Sequence, residues 1–113
     1  NGNAKLGRIM FAVSYRFALI APSPETEKLF IDCWAKITEF FRDEAGAFGS
    51  RLHKGEDGAF YAYAQWPDKK TFEATQQVVP TEDFVKHRLI WAEICEPSEV
   101  LWAGEVKSDL LVI

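Results

Sequence analysis

Two histidines, His53 and His87, carry the side chains of this sequence that titrate near neutral pH. His87 stands four residues after Asp83 and one before Arg88, in a stretch of helical periodicity. An imidazole in that setting could take a proton from a substrate, and Arg88 could stabilise the oxyanion that results. Against this, a lone histidine on a helix is more often an ordinary surface or core residue. Arginine at a helix border is equally commonplace, and His53, beside a turn, reads as solvated. The second feature is a row on one face of a strand, Phe60, Ala62, Ala64 and Trp66. Two alanines leave room beside the large indole, which could wall an aromatic ligand by stacking. The same tryptophan could serve as a core residue that closes the end of a sheet.

Several other chemistries lack their residues. There is no glycine-rich phosphate loop, no His-Glu metal pair and no Ser-His-Asp order. Two histidines cannot make a histidine-rich metal site within one chain. Cys33 and Cys95 lie far apart, each in a helix-like segment, which is neither a disulfide framework nor a zinc spacing. Buried reduced thiols in a cytoplasmic protein are the expectation. With 13 basic against 17 acidic side chains, a net charge of −4 and no basic block, nucleic acid is not an expected partner. No signal peptide is visible, and the apolar stretch Ile9 to Val13 is too short to span a bilayer, so no membrane association is expected.

The elements that must position these residues follow from patterning. The length of 113 residues suits one domain. A polar, glycine-containing segment over 1–7 is expected to be flexible, and 8–113 to fold as one unit. Arg8 to Ile20 is β-branched, aromatic and apolar on both parities apart from Arg16, which predicts a central strand covered on both faces. The bland role for Arg16 is an ion pair across a dimer seam. Ser23 and Pro24 predict a helix start, with Glu25 and Glu27 in the first turn and Phe30, Cys33, Trp34, Ile37, Phe40 and Phe41 on a buried face to about Glu44. Ala47–Lys54 and Ala59–Trp66 read as a hairpin about Gly55-Glu56-Asp57-Gly58. A helix is predicted over Asp68 to about Val79, another from Thr81 to about Cys95 with Phe84, Val85, Arg88, Leu89, Trp91 and Ala92 along one side, and a last strand over Val100 to Ile113. The order implies an α+β, ferredoxin-like split βαβ sheet with its helices on one face. The strands are apolar on the other face too, in the first strand and at Tyr61 and Tyr63, so a second copy is expected to cover it, forming a homodimer through the sheet.

The run Gly49-Ser50-Arg51-Leu52-His53-Lys54, then Asp57-Gly58, then Tyr63-Ala64-Gln65-Trp66, with Phe72 in the next helix and a closing Ser108-Asp109-Leu110-Leu111, resembles the antibiotic-biosynthesis-monooxygenase family of dimeric α/β barrels. The resemblance covers most of the chain from Arg8 onward. It implies a dimer and, in several members, oxidation of aromatic or polycyclic substrates by dioxygen with neither metal nor flavin, so no cofactor is expected. It points to Trp66 and the places of Ala62 and Phe72 as a substrate site, to which strand parity adds Phe60, while His87 and Arg88 stand as the catalytic candidates on their own chemistry. Catalytic members of the family carry an asparagine four residues before the tryptophan and in some cases a tyrosine six after it; here those places hold Ala62 and Phe72. Neither can polarise an oxygen or hydrogen-bond an anion. The haem-degrading branch has a histidine about ten residues after the tryptophan, where this chain has Gln76.

Two functions follow as expectations. One is a cofactor-independent monooxygenase for a small apolar aromatic or polycyclic substrate. The other is a non-catalytic small-ligand-binding or stress-response module built on the same dimeric barrel. The contents of the cavity beside Trp66 discriminate between them.

Overall fold

A computed structural model of the chain describes residues 10–111. Strand β1 (Phe11–Phe17) leads to helix α1 (Pro24–Glu44), then to β2 (Gly49–Lys54) and β3 (Phe60–Trp66). A short helix α2 (Lys69–Glu73) runs into a 3-10 turn (Ala74–Gln77), followed by α3 (Glu82–Ile94) and β4 (Glu99–Glu105). The sheet is four-stranded, in the order β2-β3-β1-β4, and each pairing is antiparallel. The expected central place of the first strand and the split βαβ order are both present, which makes this an α+β ferredoxin-like fold.

Helix α1 starts where its caps dictate. The Ser23 hydroxyl accepts from the Thr26 amide at 3.1 Å, Pro24 takes the first turn, and Glu25 and Glu27 face the positive end of the helix dipole. The helix buries Phe30, Cys33, Ile37 and Phe40 and is stopped by Gly46, which adopts φ +82°. Thr81 caps α3 in the same way, accepting from the Phe84 amide at 3.1 Å. The stripe that α3 turns inward is narrower than the sequence implies. Phe84 meets Phe40 at 4.1 Å between ring centroids and Trp91 meets Phe30 at 4.8 Å, whereas Val85 and Leu89 lie on the exposed side. The helix expected over 68–79 is broken in two. Asp68 caps its start, accepting from the Thr71 amide at 2.7 Å. The Thr75 hydroxyl then donates back to the Phe72 carbonyl at 2.8 Å, which tightens the chain into a 3-10 turn.

The strands are shorter than their apolar runs. β1 is regular only over Phe11–Phe17, although Leu19 still bridges to Cys95. The first residues of the predicted strand, Arg8 and Ile9, and the segment 1–7 lie outside the described residues. β4 ends at Glu105, and residues 106–111 have no regular structure, so the predicted strand is about half its expected length within the described residues. At the hairpin, Gly58 adopts φ +88° and its amide donates to the Gly55 carbonyl at 3.0 Å, the geometry that Asp-Gly favours.

Register settles which strand face meets the helices. Phe17 is opposite Phe60, Tyr15 opposite Ala62 and Phe11 opposite Trp66. These residues pack with Phe30, Ile37 and Trp91 or with Ala47, Phe41 and Phe72, so the row ending in Trp66 lies under the helices. The alternate row, with Ser14, Arg16, Tyr61, Tyr63 and Gln65, lines the other face. There Trp102 lies 6.1 Å from Tyr63 between ring centroids, yet is 52% exposed. Arg16 does not wait for a partner subunit. Its guanidinium reaches Glu99 at 3.3 Å and Asp57 at 3.8 Å in its own chain. Asp57 also accepts from the Tyr61 hydroxyl at 2.6 Å, and this bond and the Ala59 amide hold its carboxyl below the usual aspartate range.

The core holds both thiols in the neutral form. Burial, with a smaller contribution from Cys33, pushes the Cys95 thiol up to about 11. An unfolded thiol ionises near 8.5, so above that pH the unfolded chain loses a proton that the folded chain keeps. Stability from this group is therefore complete below about pH 8.5 and falls as pH rises toward 11. In urea denaturation, the midpoint of the wild-type protein is expected to drop more between pH 8 and pH 10.5 than that of Cys95→Ala, both being compared with their own value at pH 8.

Candidate functional site

A cavity of about 220 Å³ lies between the sheet and the helices. Its floor is Tyr15 and Phe17 of β1 with Ala62 and Ala64 of β3. Its roof is Trp34, Ile37, Thr38 and Phe41 of α1. Trp66 and Phe72 close one end, with ring centroids 5.4 Å apart. Arg88, Trp91 and Ser98 also border it. The sequence builds this space directly. α1 rests on the sheet through Phe30 against Phe60, at 4.7 Å between centroids, and through Phe41 against Trp66, at 6.0 Å. Between those two supports, β3 presents only methyl groups.

The polar groups facing the cavity are few. The Trp66 indole is 4% exposed and its Nε1–H has no hydrogen-bond partner among the described residues. A buried donor left unpaired costs about 1–3 kcal/mol, and it lies in the wall of a space that could hold an acceptor. The Tyr15 hydroxyl is pushed above the ordinary tyrosine range by burial, so it is neutral at physiological pH and can donate. Ser50 is already committed, donating to the Tyr63 carbonyl at 3.0 Å, as is Thr75. Arg88 is exposed, and its guanidinium carbon lies 6.0 Å from the centre of the Phe84 ring.

The structure gathers four of the candidate residues, Trp66, Ala62, Phe72 and Arg88, around this one cavity. It separates the other two from it. Phe60 lies in the core against Phe30 and does not border the cavity. His87 does not border it either: its Nδ1 sits 2.8 Å from the Asp83 carbonyl and 3.6 Å from the Asp83 carboxylate, an interaction within one turn of its own helix. The residues that sequence reasoning did not single out are Tyr15, Thr38 and the aromatic roof. Trp34 and Phe41 are seven residues apart on α1, a spacing that signals one helix face. Tyr15 gave no signal, because β1 is apolar on both parities.

A larger groove of about 700 Å³ runs along the free edge of β2, bordered by Trp34, Glu39, Arg42, Arg51, His53 and Leu111 among others. It follows an edge strand whose outward backbone groups face water, and it holds no buried unpaired donor. The smaller cavity is the better ligand site because it combines apolar walls with the orphaned indole N–H. Among the described residues, no group of three His, Cys, Asp or Glu side chains is gathered where it could hold a metal ion, and no helix is long and apolar enough to cross a membrane.

No family model matches the sequence, and no curated protein matches it. Solved structures do. SnoaB, a cofactor-independent oxygenase from Streptomyces nogalater, is 17% identical over 92% of this chain and 97% of its own, with a TM-score of 0.64. A protein of unknown function from Nitrosomonas europaea is 15% identical over 94% of this chain and 97% of its own, at 0.65. A dimeric protein of ferredoxin-like fold from Bacteroides fragilis is 15% identical over 86% of this chain and 96% of its own, at 0.60. Identities this low speak to the fold alone, and they show that the chain shares the α+β ferredoxin-like fold of these proteins.

Proposed function

We propose that the chain is a cofactor-independent monooxygenase acting on a small apolar aromatic substrate. The observation that carries the reading is the cavity itself, roofed by α1, floored by Ala62 and Ala64, and ended by an indole donor with nothing to bond. SnoaB, a cofactor-independent oxygenase, has the same fold. Size narrows the substrate. An apolar cavity of about 150 Å³ accommodates benzene, so about 220 Å³ suits one or two fused rings.

In such a reaction the substrate supplies the electrons. A hydroxylated aromatic loses its phenolic proton and its anion reduces dioxygen to a hydroperoxide bound to a ring carbon. That carbon then gives up its C–H proton as the O–O bond breaks, so one oxygen stays as a carbonyl, the other leaves as water, and the phenol ends as a quinone (phenol + O2 → quinone + H2O). Phe41, Trp34 and Trp66 exclude bulk water and align the ring. Trp66 Nε1–H donates to the substrate oxygen, and more strongly once that oxygen is anionic. Arg88, at the border, favours entry of the anion. Among the described residues, the titratable side chains bordering the cavity are Tyr15 and Arg88, and neither serves as a base. The substrate must therefore be acidic enough to arrive ionised, as an activated phenol is.

A second reading, a non-catalytic binding module, is favoured by one specific feature. Ala62 and Phe72 bring no polar atom to the places where catalytic members carry an amide and a phenol, and no general base replaces them. One experiment separates the readings. Metal-free protein in an oxygen electrode, given hydroxylated one-ring, two-ring and polycyclic aromatics, is expected to consume oxygen with a member of the two-ring group, and Trp66→Ala is expected to lower the rate at least about tenfold through loss of both wall and donor. Tight binding of these compounds without any uptake of oxygen identifies the binding module instead.

The homodimer is proposed to form through the sheet face opposite the helices. Trp102 of β4, paired with Ser14 on that face, is 52% exposed, and Tyr63 lies beside it there. The dimeric Bacteroides fragilis protein has the same fold. Sedimentation at micromolar protein is expected to give twice the mass of the chain, and Trp102→Glu, which would bury a charge in the seam, is expected to give the monomer mass with an unchanged far-ultraviolet spectrum.

A further inference from the structure

The amide and phenol that Ala62 and Phe72 omit leave a question of what else in the cavity can hold a ligand oxygen. The register supplies a candidate. Tyr15 is directly opposite Ala62 on the neighbouring strand, with its side chain on the same, helix-facing side. Its ring lies 5.7 Å from Phe17, nearly parallel to it, and packs against both core clusters, that of Phe17 and that of Trp66. Trp66 pairs with Phe11, four positions further along β1, so the two side chains spring from points roughly 13 Å apart along the strands. Val13 and Ala64, paired between them, carry no polar side-chain atom. Among the described residues the Tyr15 hydroxyl makes no hydrogen bond that would commit it elsewhere, in contrast to Tyr61, which is bound to Asp57.

We propose that the Tyr15 hydroxyl is the second polar contact of this cavity, so that the ligand is a one- or two-ring aromatic carrying acceptor oxygens at opposite ends, one on Trp66 Nε1–H and one on Tyr15 O–H. Tyr15 thereby does from β1 what an amide at position 62 would do from β3. The inference rests on the reading of this cavity as the ligand site, and it adds the polarity pattern of the ligand. Burial keeps the phenol neutral, so it acts as a donor rather than as a repelling phenolate. Arg88, the one cation on the cavity border, is exposed and free to meet an anionic oxygen during entry.

Titration calorimetry of the full chain with three probes tests this: naphthalene, a naphthol, and a dihydroxynaphthalene with its oxygens at opposite ends. Wild-type protein is expected to bind the dihydroxy probe most tightly. Tyr15→Phe, which removes only the hydroxyl and keeps the ring beside Phe17, is expected to weaken that probe about 3- to 10-fold and leave naphthalene unchanged, the size of one neutral hydrogen bond. Equal affinity of the dihydroxy probe for wild type and Tyr15→Phe overturns the role of Tyr15 while leaving the cavity as the ligand site. Failure of all three probes to bind wild-type protein overturns both. If Tyr15→Phe does not fold, the comparison of probes on wild type decides: a naphthol bound as tightly as the dihydroxy probe shows that the second oxygen finds no donor, and the proposal fails.

Discussion

α1 is held off the sheet by aromatic rings at two points, Phe30 on Phe60 and Phe41 on Trp66, and the strand beneath it carries alanine at both positions between them. Protein interiors close-pack, and a gap of this kind collapses unless something rigid holds it open. Here the rigid elements are the rings themselves. Phe30 is wedged against Phe17, Phe60 and Trp91, and cannot move toward the sheet without displacing all three. Phe41 is fixed between Phe40, Trp66 and Phe84. The helix thus behaves as a beam on two supports. Every other property of the site depends on that span: its apolar lining, its modest volume, and the burial of an indole whose N–H has no acceptor among the described residues.

The other face of the sheet obeys a different constraint. Its row contains Ser14, Arg16, Tyr61, Tyr63 and Gln65, which are amphipathic or polar rather than oily. Arg16 is paired within the chain by two carboxylates, Asp57 and Glu99, and Asp57 also accepts from Tyr61. That network removes the electrostatic obstacle to covering this face, because a partner would meet a satisfied cluster rather than a bare guanidinium. The unsatisfied part is apolar and sits at the β4 edge, where Trp102 is half exposed among the described residues of its own chain. An exposed edge strand with a tryptophan in it is an unstable arrangement for an isolated monomer. The asymmetry between a self-satisfied polar half and an uncovered apolar half gives the face a direction in which a second copy gains the most.

Much of this architecture was legible in the sequence because period and punctuation agree. Ser23-Pro24, Asp57-Gly58, Pro67 and Thr81 mark boundaries at or near those observed, and the alternation from Phe60 to Trp66 places four residues on one face without ambiguity. Which face that is could not be read, since both rows of β1 are apolar; only the register with α1 and α3 decides it. The same degeneracy hid Tyr15, one aromatic among several in β1. Apolar content misled in α3, where Val85 and Leu89 look like core but the helix is turned by the contacts of Phe84 and Trp91. His87 illustrates the remaining limit. Its ionisable ring suggests chemistry, but on a helix the carbonyl four residues earlier is within reach, and there the ring finds its partner.

The chemical consequence of these placements is a site of donors without an acceptor for a proton. Trp66 and Tyr15 both offer N–H or O–H, and Arg88 offers positive charge at the border. Such a set stabilises negative charge on a ligand and cannot create it. Desolvation in an apolar cavity raises the cost of any anion, and neutral donors offset part of that cost only where they can aim at the charged atom. A ligand whose charge is spread over a conjugated ring pays less for desolvation than one with a localised carboxylate, and it presents its oxygens in the plane where an indole and a phenol can reach them. The same delocalisation makes such an anion easy to oxidise. On the proposed reading, selectivity for delocalised anions and readiness to give an electron to dioxygen are therefore one property of the ligand, and with no base among the described residues of the pocket that property has to be brought by the ligand.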